Sequence, residues 1–152
     1  MKRLMIVVPC FNEQEVLCDT ARQLTEVIEN LTKKGKITQN SGILFVNDGS
    51  RDKTWELITE ANKTNKYVYG LNLAANVGHQ NALLAGLNTV KDICDISVSI
   101  DADLQDDVNV IEEMLDKYME TGEVAKSDIV EAIANRQMFP CFFGSALKDI
   151  GV

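Results

Sequence analysis

An uncharged run gives way to an acidic one in the stretch Ser97-Val98-Ser99-Ile100-Asp101-Ala102-Asp103-Leu104-Gln105-Asp106. Residues 96 to 100 have the β-branched and small side chains of a buried strand, so Asp101 and Asp103 follow at its carboxyl end. Side chains two apart on an extended backbone project to the same face, where two carboxylates can share one hard divalent cation. Open α/β sheets bind ligands at this end of their strands. The stretch therefore predicts an α/β sheet with a cation site.

The acidic run has two other interpretations. Aspartate is common in turns and helix caps, and Asp106 or Asp107 could cap a helix that begins near Val108. An EF-hand calcium loop requires glycine at its sixth position, which is Asp106 here, and the segment before the run has the pattern of a strand. The calcium loop is therefore excluded, whereas the cap remains an alternative to a cation site.

Composition predicts one soluble cytoplasmic domain. The 152 residues carry a formal net charge of −8, which disfavours a nucleic-acid partner. The cysteines are scattered without a Cys-x-x-Cys pair, which is typical of reduced thiols in the cytosol. The apolar run after Met1 ends at Pro9, so it indicates a strand and not a signal peptide. No run approaches the ~20 apolar residues that span a bilayer.

Segments with strand and helix periodicity alternate along the chain, which is typical of a right-handed, mainly parallel α/β sheet flanked by helices. Strands are predicted at Leu4–Val8, Ile43–Val46, Tyr67–Leu73 and Ile96–Ile100. Helices are predicted at about Glu13–Lys33, Lys53–Lys63, Gln80–Val90 and Val108–Tyr118.

Polar turns follow the first two predicted strands. After the first, Pro9 stiffens the exit, and Asn12 or Glu13 could reach a base or ribose. Asn12 could equally be the N-cap of the first helix. After the second, Asp48 is not needed as a helix cap, because Ser50 or Asp52 can supply one. We therefore expect the Asp48 carboxylate to be free to accept a hydrogen bond from a base N–H.

A third polar turn, Asn76-Val77-Gly78-His79-Gln80, follows the third predicted strand. Gly78 relieves the start of a helix whose free N–H groups suit a phosphate. His79 is more typical of a polar residue at a helix start than of a ligand, because nothing in the neighbouring sequence pairs with it. The carboxyl ends of all four predicted strands thus carry turns suited to a ligand.

The sequence blocks that contain these four turns resemble those of family 2 glycosyltransferases of the GT-A fold, especially polyprenyl-phosphate mannosyl, glucosyl and galactosyl transferases. The matching blocks are Val7-Val8-Pro9-x-Phe11-Asn12-Glu13-x-Glu15, Val46-Asn47-Asp48-Gly49-Ser50-x-Asp52-x-Thr54, Asn76-x-Gly78-His79-Gln80-x-Ala82-Leu83-x-Ala85-Gly86-Leu87 and Asp101-Ala102-Asp103-Leu104-Gln105-Asp106. The resemblance implies an inverting transferase with a nucleotide-sugar donor, UDP-sugar favoured over GDP-mannose, and a polyprenyl phosphate acceptor in full-length relatives.

Residue roles are also implied by this resemblance. Mg²⁺ or Mn²⁺ would bind to Asp101 and Asp103 on the donor diphosphate. Asp103 and Gln105 would act at the leaving group. The nucleotide would be held by Pro9, Asn12, Glu13, Asp48, Asn76, Gly78 and Asp101. Two positions depart from the family pattern: Asp107 replaces a proline, and Ala75 replaces a basic residue that would contact phosphate.

The chain changes its resemblance near residue 119. Residues 1–119 resemble the nucleotide-sugar-binding half of a GT-A enzyme, whereas residues 115–152 resemble a fragment of a translational GTPase of the elongation-factor-G and tetracycline-resistance type. In that tail, Gly144-Ser145-Ala146 would match a guanine-contacting turn, but the chain has no phosphate loop. A helix over residues 127–136 and a strand over 138–143 are predicted in the tail, residues 120–152, which could either supply a substitute edge strand or form a loosely docked appendage.

Two functions from different classes follow. The first is a glycosyltransferase nucleotide-sugar-binding module that is truncated and incomplete for catalysis. The alternative is a noncatalytic nucleotide-binding or scaffold protein that retains the fold, because a fold does not fix a function.

Overall fold

Strands and helices alternate along the part of the chain that the computed structural model describes, residues 1–104, 108–122, 127 and 130. The strands are β1 Leu4–Cys10, β2 Gly42–Asn47, β3 Val68–Asn72 and β4 Ile96–Ser99. The helices are α1 Leu17–Lys33, α2 Thr54–Thr64, α3 His79–Val90 and α4 Val110–Thr121. The strand order is β3-β2-β1-β4, and each neighbouring pair is parallel. The predicted parallel α/β sheet is confirmed.

The sheet is covered on both faces, as its continuous apolar strands require. Alternate β1 residues, including Ile6 and Val8, pack against apolar side chains of α1, α2 and α4. Met5 and Val7 point to the opposite face and pack against α3. All seven residues of β1 are buried. The strand is therefore central, and the segments that follow its carboxyl end lie near those that follow β2 and β4.

Strand β1 extends through Cys10, two residues beyond its predicted end. Proline normally ends a strand because it has no N–H to donate to a neighbour. Here the pairing with β4 ends at Val7 and Ser99, so Pro9 loses no ladder hydrogen bond on that side. On the other side, Cys10 remains in register with Asn47. The proline is therefore tolerated where the neighbouring strand has already ended.

Helix α1 begins at Leu17, four residues later than predicted. The preceding segment is tied to the loop after β2: the Glu13 N–H donates to Thr54 Oγ1 at 2.8 Å, and the Gln14 N–H donates to Asp52 Oδ2 at 3.2 Å. Asn12 has a positive φ of 57°. These tertiary contacts hold the segment in a turn, so its helical pattern does not become helix.

The C-terminal predictions lie largely outside the described residues. The predicted strand over residues 138–143 lies wholly outside them, and of the predicted helix over 127–136 only Ser127 and Val130 are described, both helical. Helix α4 ends at Thr121, where Gly122 has a left-handed φ of 80° and donates its N–H to the Tyr118 carbonyl. Among the described residues, every helix is too short or too polar to span a membrane.

Candidate functional site

A cavity of about 250 Å³ lies at the carboxyl edge of the sheet, where the segments after β1, β2 and β4 meet the start of α3. Its lining consists of Pro9, Cys10, Phe11, Glu13, Asp48, Asn76, Gly78, His79, Ala82, Asp101, Ala102 and Asp103. All the predicted site residues except Asn12 and Gln105 are in this set. Parallel strand direction explains the convergence, because it places every strand-to-helix turn at one edge.

The two aspartates of the acidic run lie on a turn and not on an extended strand. Strand β4 ends at Ser99, and Leu104 adopts a positive φ of 49° and donates its N–H to the Asp101 carbonyl. Between the aspartates, Ala102 is buried, and its carbonyl accepts a hydrogen bond from Thr20 Oγ1. The expectation that Asp101 and Asp103 share a face through strand alternation was therefore wrong. The turn nevertheless exposes both carboxylates and places both in the cavity lining.

The cavity has an acidic lining. Within the part of the chain that the structure describes, the lining contains four carboxylates and no lysine or arginine. The pKa of Glu13 is raised, first by burial and then by the negative charges of Asp103, Asp52 and Asp101. The repulsion is therefore large enough to perturb a neighbouring group. A polyanionic ligand would meet the same repulsion unless a cation came with it.

The donor set fits a hard divalent cation that keeps several ligands of its own. The described residues hold no group of three or more histidine, cysteine or acidic side chains arranged as a metal cage. Mg²⁺ usually binds through one or two carboxylates and completes its shell with water and substrate phosphates. Asp101 and Asp103 can supply two such carboxylates at the cavity surface. They would need a diphosphate or water to complete the coordination.

Cys10 also lines the cavity but is not a nucleophile. Burial raises the pKa of its thiol, and the charge of Glu13 raises it further. The Cys10 side chain is 2% exposed and lies 3.4 Å from the Val8 carbonyl. A buried, protonated thiol is a poor nucleophile because the thiolate is the reactive form.

Asp48 is buried, and its carboxylate is not free. Its Oδ1 accepts the Val77 N–H at 2.7 Å, and its Oδ2 accepts the Gly78 N–H at 3.0 Å. The prediction of a free carboxylate was wrong, and it also means that the N–H groups of Val77 and Gly78 are not free for a phosphate. Asp48 instead fixes the turn that begins α3, although it remains part of the cavity lining.

Asn12 does not cap α1 and does not line the cavity. Its Oδ1 accepts the Arg51 N–H at 2.9 Å, and its own N–H donates to Ser50 Oγ at 3.0 Å. Asn12 therefore joins the segment after β1 to the loop after β2. Asp52 Oδ1 accepts the N–H of Thr54, the first residue of α2, but the N-cap position of this helix is Lys53, which makes no capping hydrogen bond through its side chain.

The structure brings His79 into the site, although the sequence indicated only a helix-start residue. His79 Nε2 lies 3.5 Å from Asp101 Oδ1, and both residues line the cavity. His79 is the first residue of α3, as the sequence predicted, and the carboxylate that it approaches lies 22 residues away along the chain, outside the neighbouring sequence. The remaining predicted site residue, Gln105, lies outside the described residues.

Comparison with known proteins identifies the family. The family described as Glycosyl transferase family 2 matches residues 5–136, which is most of the chain. The chain belongs to glycosyl transferase family 2.

Three curated proteins, each named an uncharacterized glycosyltransferase, show significant similarity to this chain. The chain is 55% identical over 121 residues to the uncharacterized glycosyltransferase YkoT of Bacillus subtilis, covering 80% of this chain and 36% of YkoT. It is 37% identical over 138 residues to B. subtilis YkcC, covering 91% of this chain and 39% of YkcC. It is 38% identical to the Synechocystis glycosyltransferase sll0501 over 80% of this chain and 36% of that protein. The chain thus spans little more than a third of these relatives.

Solved structures support the GT-A fold. The structure of S. aureus TarS residues 1–349 in complex with UDP-GlcNAc aligns with a TM-score of 0.53 at 15% identity, covering 77% of this chain and 32% of TarS. The complex of the same TarS fragment with UDP aligns with a TM-score of 0.50, covering 66% of this chain and 27% of that one. At this identity, the likeness concerns the fold alone. The predicted division of this family 2 chain at residue 119 stays a prediction.

Proposed function

We propose that this family 2 chain is a metal-dependent nucleotide-sugar-binding module, with a UDP-sugar as its favoured donor. The observation that carries the proposal is the convergence of Glu13, Asp48, Asp101 and Asp103 on one cavity at the carboxyl edge of the sheet. A cavity with an acidic lining binds a diphosphate poorly by itself, because like charges repel. A divalent cation between the carboxylates and the diphosphate would replace this repulsion by attraction of both groups to the cation.

The donor site would use the described residues in three ways. Asp101 and Asp103 would hold Mg²⁺ or Mn²⁺ with the donor diphosphate. Pro9 and Glu13, which also line the cavity, would contact the nucleoside part of the donor. Binding of UDP by S. aureus TarS, which shares the fold, supports a uridine nucleotide as the first ligand to test.

Four more residues would complete the nucleotide site. Asn76 and Gly78 line the cavity at the turn before α3, and Asp48 holds that turn. Asn12, outside the lining, would act by fixing the loop after β2. These residues would shape the wall against which the nucleotide lies. The buried Asp48 carboxylate would affect binding chiefly through the turn.

Sugar transfer would require a protein as long as the curated relatives, of which this chain covers little more than a third. The bond from the anomeric carbon to the diphosphate oxygen breaks, its electron pair leaves with the diphosphate, and an acceptor oxygen attacks the opposite face with inversion. The cation would supply charge stabilisation for the leaving diphosphate. Asp103 would orient the leaving group, with Gln105 beside it. A polyprenyl phosphate acceptor, already anionic, needs no general base.

Calorimetric titration of this chain with UDP, GDP and GTP, each with and without Mn²⁺, tests the proposal. We expect UDP to bind more tightly than GDP and to require Mn²⁺. The double variant Asp101→Asn with Asp103→Asn should weaken Mn²⁺-dependent UDP binding at least about tenfold, because two metal ligands are lost. Asn keeps the size of each side chain, so the effect reports charge and ligation.

A matched control removes two negative charges outside the cavity, with Asp92→Asn and Glu60→Gln, both exposed. We expect its UDP affinity to equal that of the unmodified chain. UDP binding that is independent of Mn²⁺ and of both aspartates would contradict the proposal and support the noncatalytic alternative. Preferential GTP binding would contradict it in favour of the GTPase-like resemblance of the tail.

A further inference from the structure

The turn before α3 is held against the loop after β2 by hydrogen bonds to Asp48 and by a close backbone approach at Gly49. The Asp48 carboxylate accepts the N–H groups of Val77 and Gly78. At Gly49, a Cβ atom would lie 2.5 Å from the Asn76 nitrogen, so the two backbones approach too closely for a side chain. Gly49 also has a positive φ of 64°. The start of α3 is therefore fixed relative to the carboxyl ends of the strands.

His79 is the first residue of α3, so this fastening also fixes the origin of its side chain. From there the imidazole approaches the turn after β4, with Nε2 3.5 Å from Asp101 Oδ1, and both residues line the cavity. The contact joins two segments that meet only in the folded sheet. Small rotations of the two side chains would bring the atoms to hydrogen-bond distance.

Asp101 needs such a partner if it is to bind a cation in a fixed geometry. Its side chain is 64% exposed, and an exposed side chain retains rotamer freedom that must be lost on coordination. A donor held against one carboxylate oxygen restricts that freedom and leaves the other oxygen for a metal. Carboxylates that bind metals are commonly hydrogen-bonded in this way, and loss of the outer partner weakens metal binding.

We infer that His79 is a positioning residue of the cation site, and that its Nε2–H holds the Asp101 carboxylate in the orientation that binds the metal. The inference rests on the proposed metal-dependent binding of a nucleoside diphosphate. It assigns to His79 a role that its position at a helix start does not indicate. The imidazole acts through Asp101 and does not itself need to touch the metal.

To test the inference, the full 152-residue chain is titrated with Mn²⁺ at saturating UDP, and the free Mn²⁺ is measured by electron paramagnetic resonance. His79→Phe keeps a flat ring but removes the donor, and we expect it to raise the Mn²⁺ dissociation constant about tenfold. His79→Gln keeps an N–H donor and should recover most of the affinity. Asn88→Leu, on an exposed residue of the same helix outside the cavity lining, is the control and should behave as the unmodified chain.

Rescue by Gln separates positioning from a merely structural role, because a structural role would not depend on a donor. Thermal unfolding followed by circular dichroism should give equal melting temperatures for all four proteins, since His79 is exposed. Equal Mn²⁺ affinity of His79→Phe and the unmodified chain would overturn the inference and leave the proposed function standing. Equal weakening by Phe and Gln would also overturn it. If the unmodified chain does not bind Mn²⁺ with UDP, the proposed function fails first.

Discussion

At the scale of single residues, the site depends on carboxylates with different surroundings. Asp48 is 2% exposed, and its carboxylate accepts two backbone N–H groups. Asp101 and Asp103 are exposed and line the cavity. Glu13 lies between these cases, partly buried and repelled by its neighbours. The same functional group therefore fixes a turn in one position and, in the proposed function, binds a cation in another.

The first prediction concerns Asp48→Asn. Its amide can present only one acceptor oxygen, so its NH₂ group would face either the Val77 or the Gly78 N–H. A buried donor left without a partner, at a site where the acceptor was charged, costs about 1.5–3 kcal/mol. We expect the free energy of unfolding, measured by urea denaturation, to fall by about 2 kcal/mol. Asp92→Asn, on an exposed residue, is the control and should leave it unchanged.

A second prediction concerns the pH dependence caused by Glu13. Its pKa is raised in the folded state, so the folded protein binds this proton more tightly than the unfolded chain does. The contribution of protonated Glu13 to the free energy of unfolding is complete below the ordinary glutamate pKa of about 4.3. It is lost as the pH rises through the pKa that Glu13 has in the folded protein. Ionised Glu13 therefore destabilises the fold at neutral pH.

Glu13→Gln should accordingly raise the free energy of unfolding at about pH 7 and lose that advantage at about pH 3.5. Urea denaturation at both pH values measures the difference. Glu15→Gln, on an exposed glutamate of the same segment, provides the comparison. The prediction would be contradicted if Glu13→Gln were less stable than the unmodified chain at neutral pH.

At the scale of elements, α3 determines the shape of one cavity wall because it packs very closely on the sheet. At Gly86, an added Cβ would lie 2.5 Å from Val7 Cγ1 and 2.8 Å from Val46 Cγ2. Both valines are fully buried on β1 and β2. The missing side chain of Gly86 therefore sets the distance from α3 to the strands, and with it the position of His79 at the start of the helix.

The third prediction is that Gly86→Ala destabilises the protein, although alanine favours helix. Overpacking of a tight core costs about 1–3 kcal/mol. Replacing glycine by alanine in a helix gains about 1 kcal/mol, so the overpacking cost is the larger of the two over nearly all of its range. We expect a lower melting temperature and weaker UDP binding in Mn²⁺, because α3 must move outward. Asn88→Ala, on the exposed face of α3, should not lower either quantity. A more stable Gly86→Ala variant would show that the valines repack freely.

At the scale of the whole molecule, the parallel sheet gathers turns from distant parts of the sequence at one edge. The residues that line the cavity extend from Pro9 to Asp103. The chain covers 36% of YkoT and 39% of YkcC, so most of the length of these relatives lies beyond the matched region. We therefore limit the proposal for this chain to donor binding.

The fourth prediction is that this chain binds UDP with Mn²⁺ but does not form a glycosyl phosphoprenol from a UDP-sugar and polyprenyl phosphate. Loss of one preorganised charge contact costs about 10²–10³ in rate, and an acceptor site requires several contacts. Joining the continuation of YkoT after Met119 should produce transfer, measured as radiolabelled sugar in the lipid phase. Equal transfer by the chain with and without the continuation would contradict the prediction.

The sequence by itself determined the order of strands and helices, the parallel class of the sheet and most of the residues that line the cavity. Apolar periodicity is a local property, and parallel strands place their polar turns at one edge whatever the details of packing. For this reason Pro9, Glu13, Asp48, Gly78, Asp101 and Asp103 were all predicted at the site, and all line the cavity.

Only the tertiary structure decided what these side chains contact. Asp48 is 29 residues from Val77, His79 is 22 residues from Asp101, and Asn12 is 39 residues from Arg51. Contacts over such separations depend on strand order, on the positive φ angles of Gly49 and Leu104, and on the close packing of α3. No local pattern encodes these contacts, because each donor and acceptor group can form its hydrogen bonds with water until the sheet has formed.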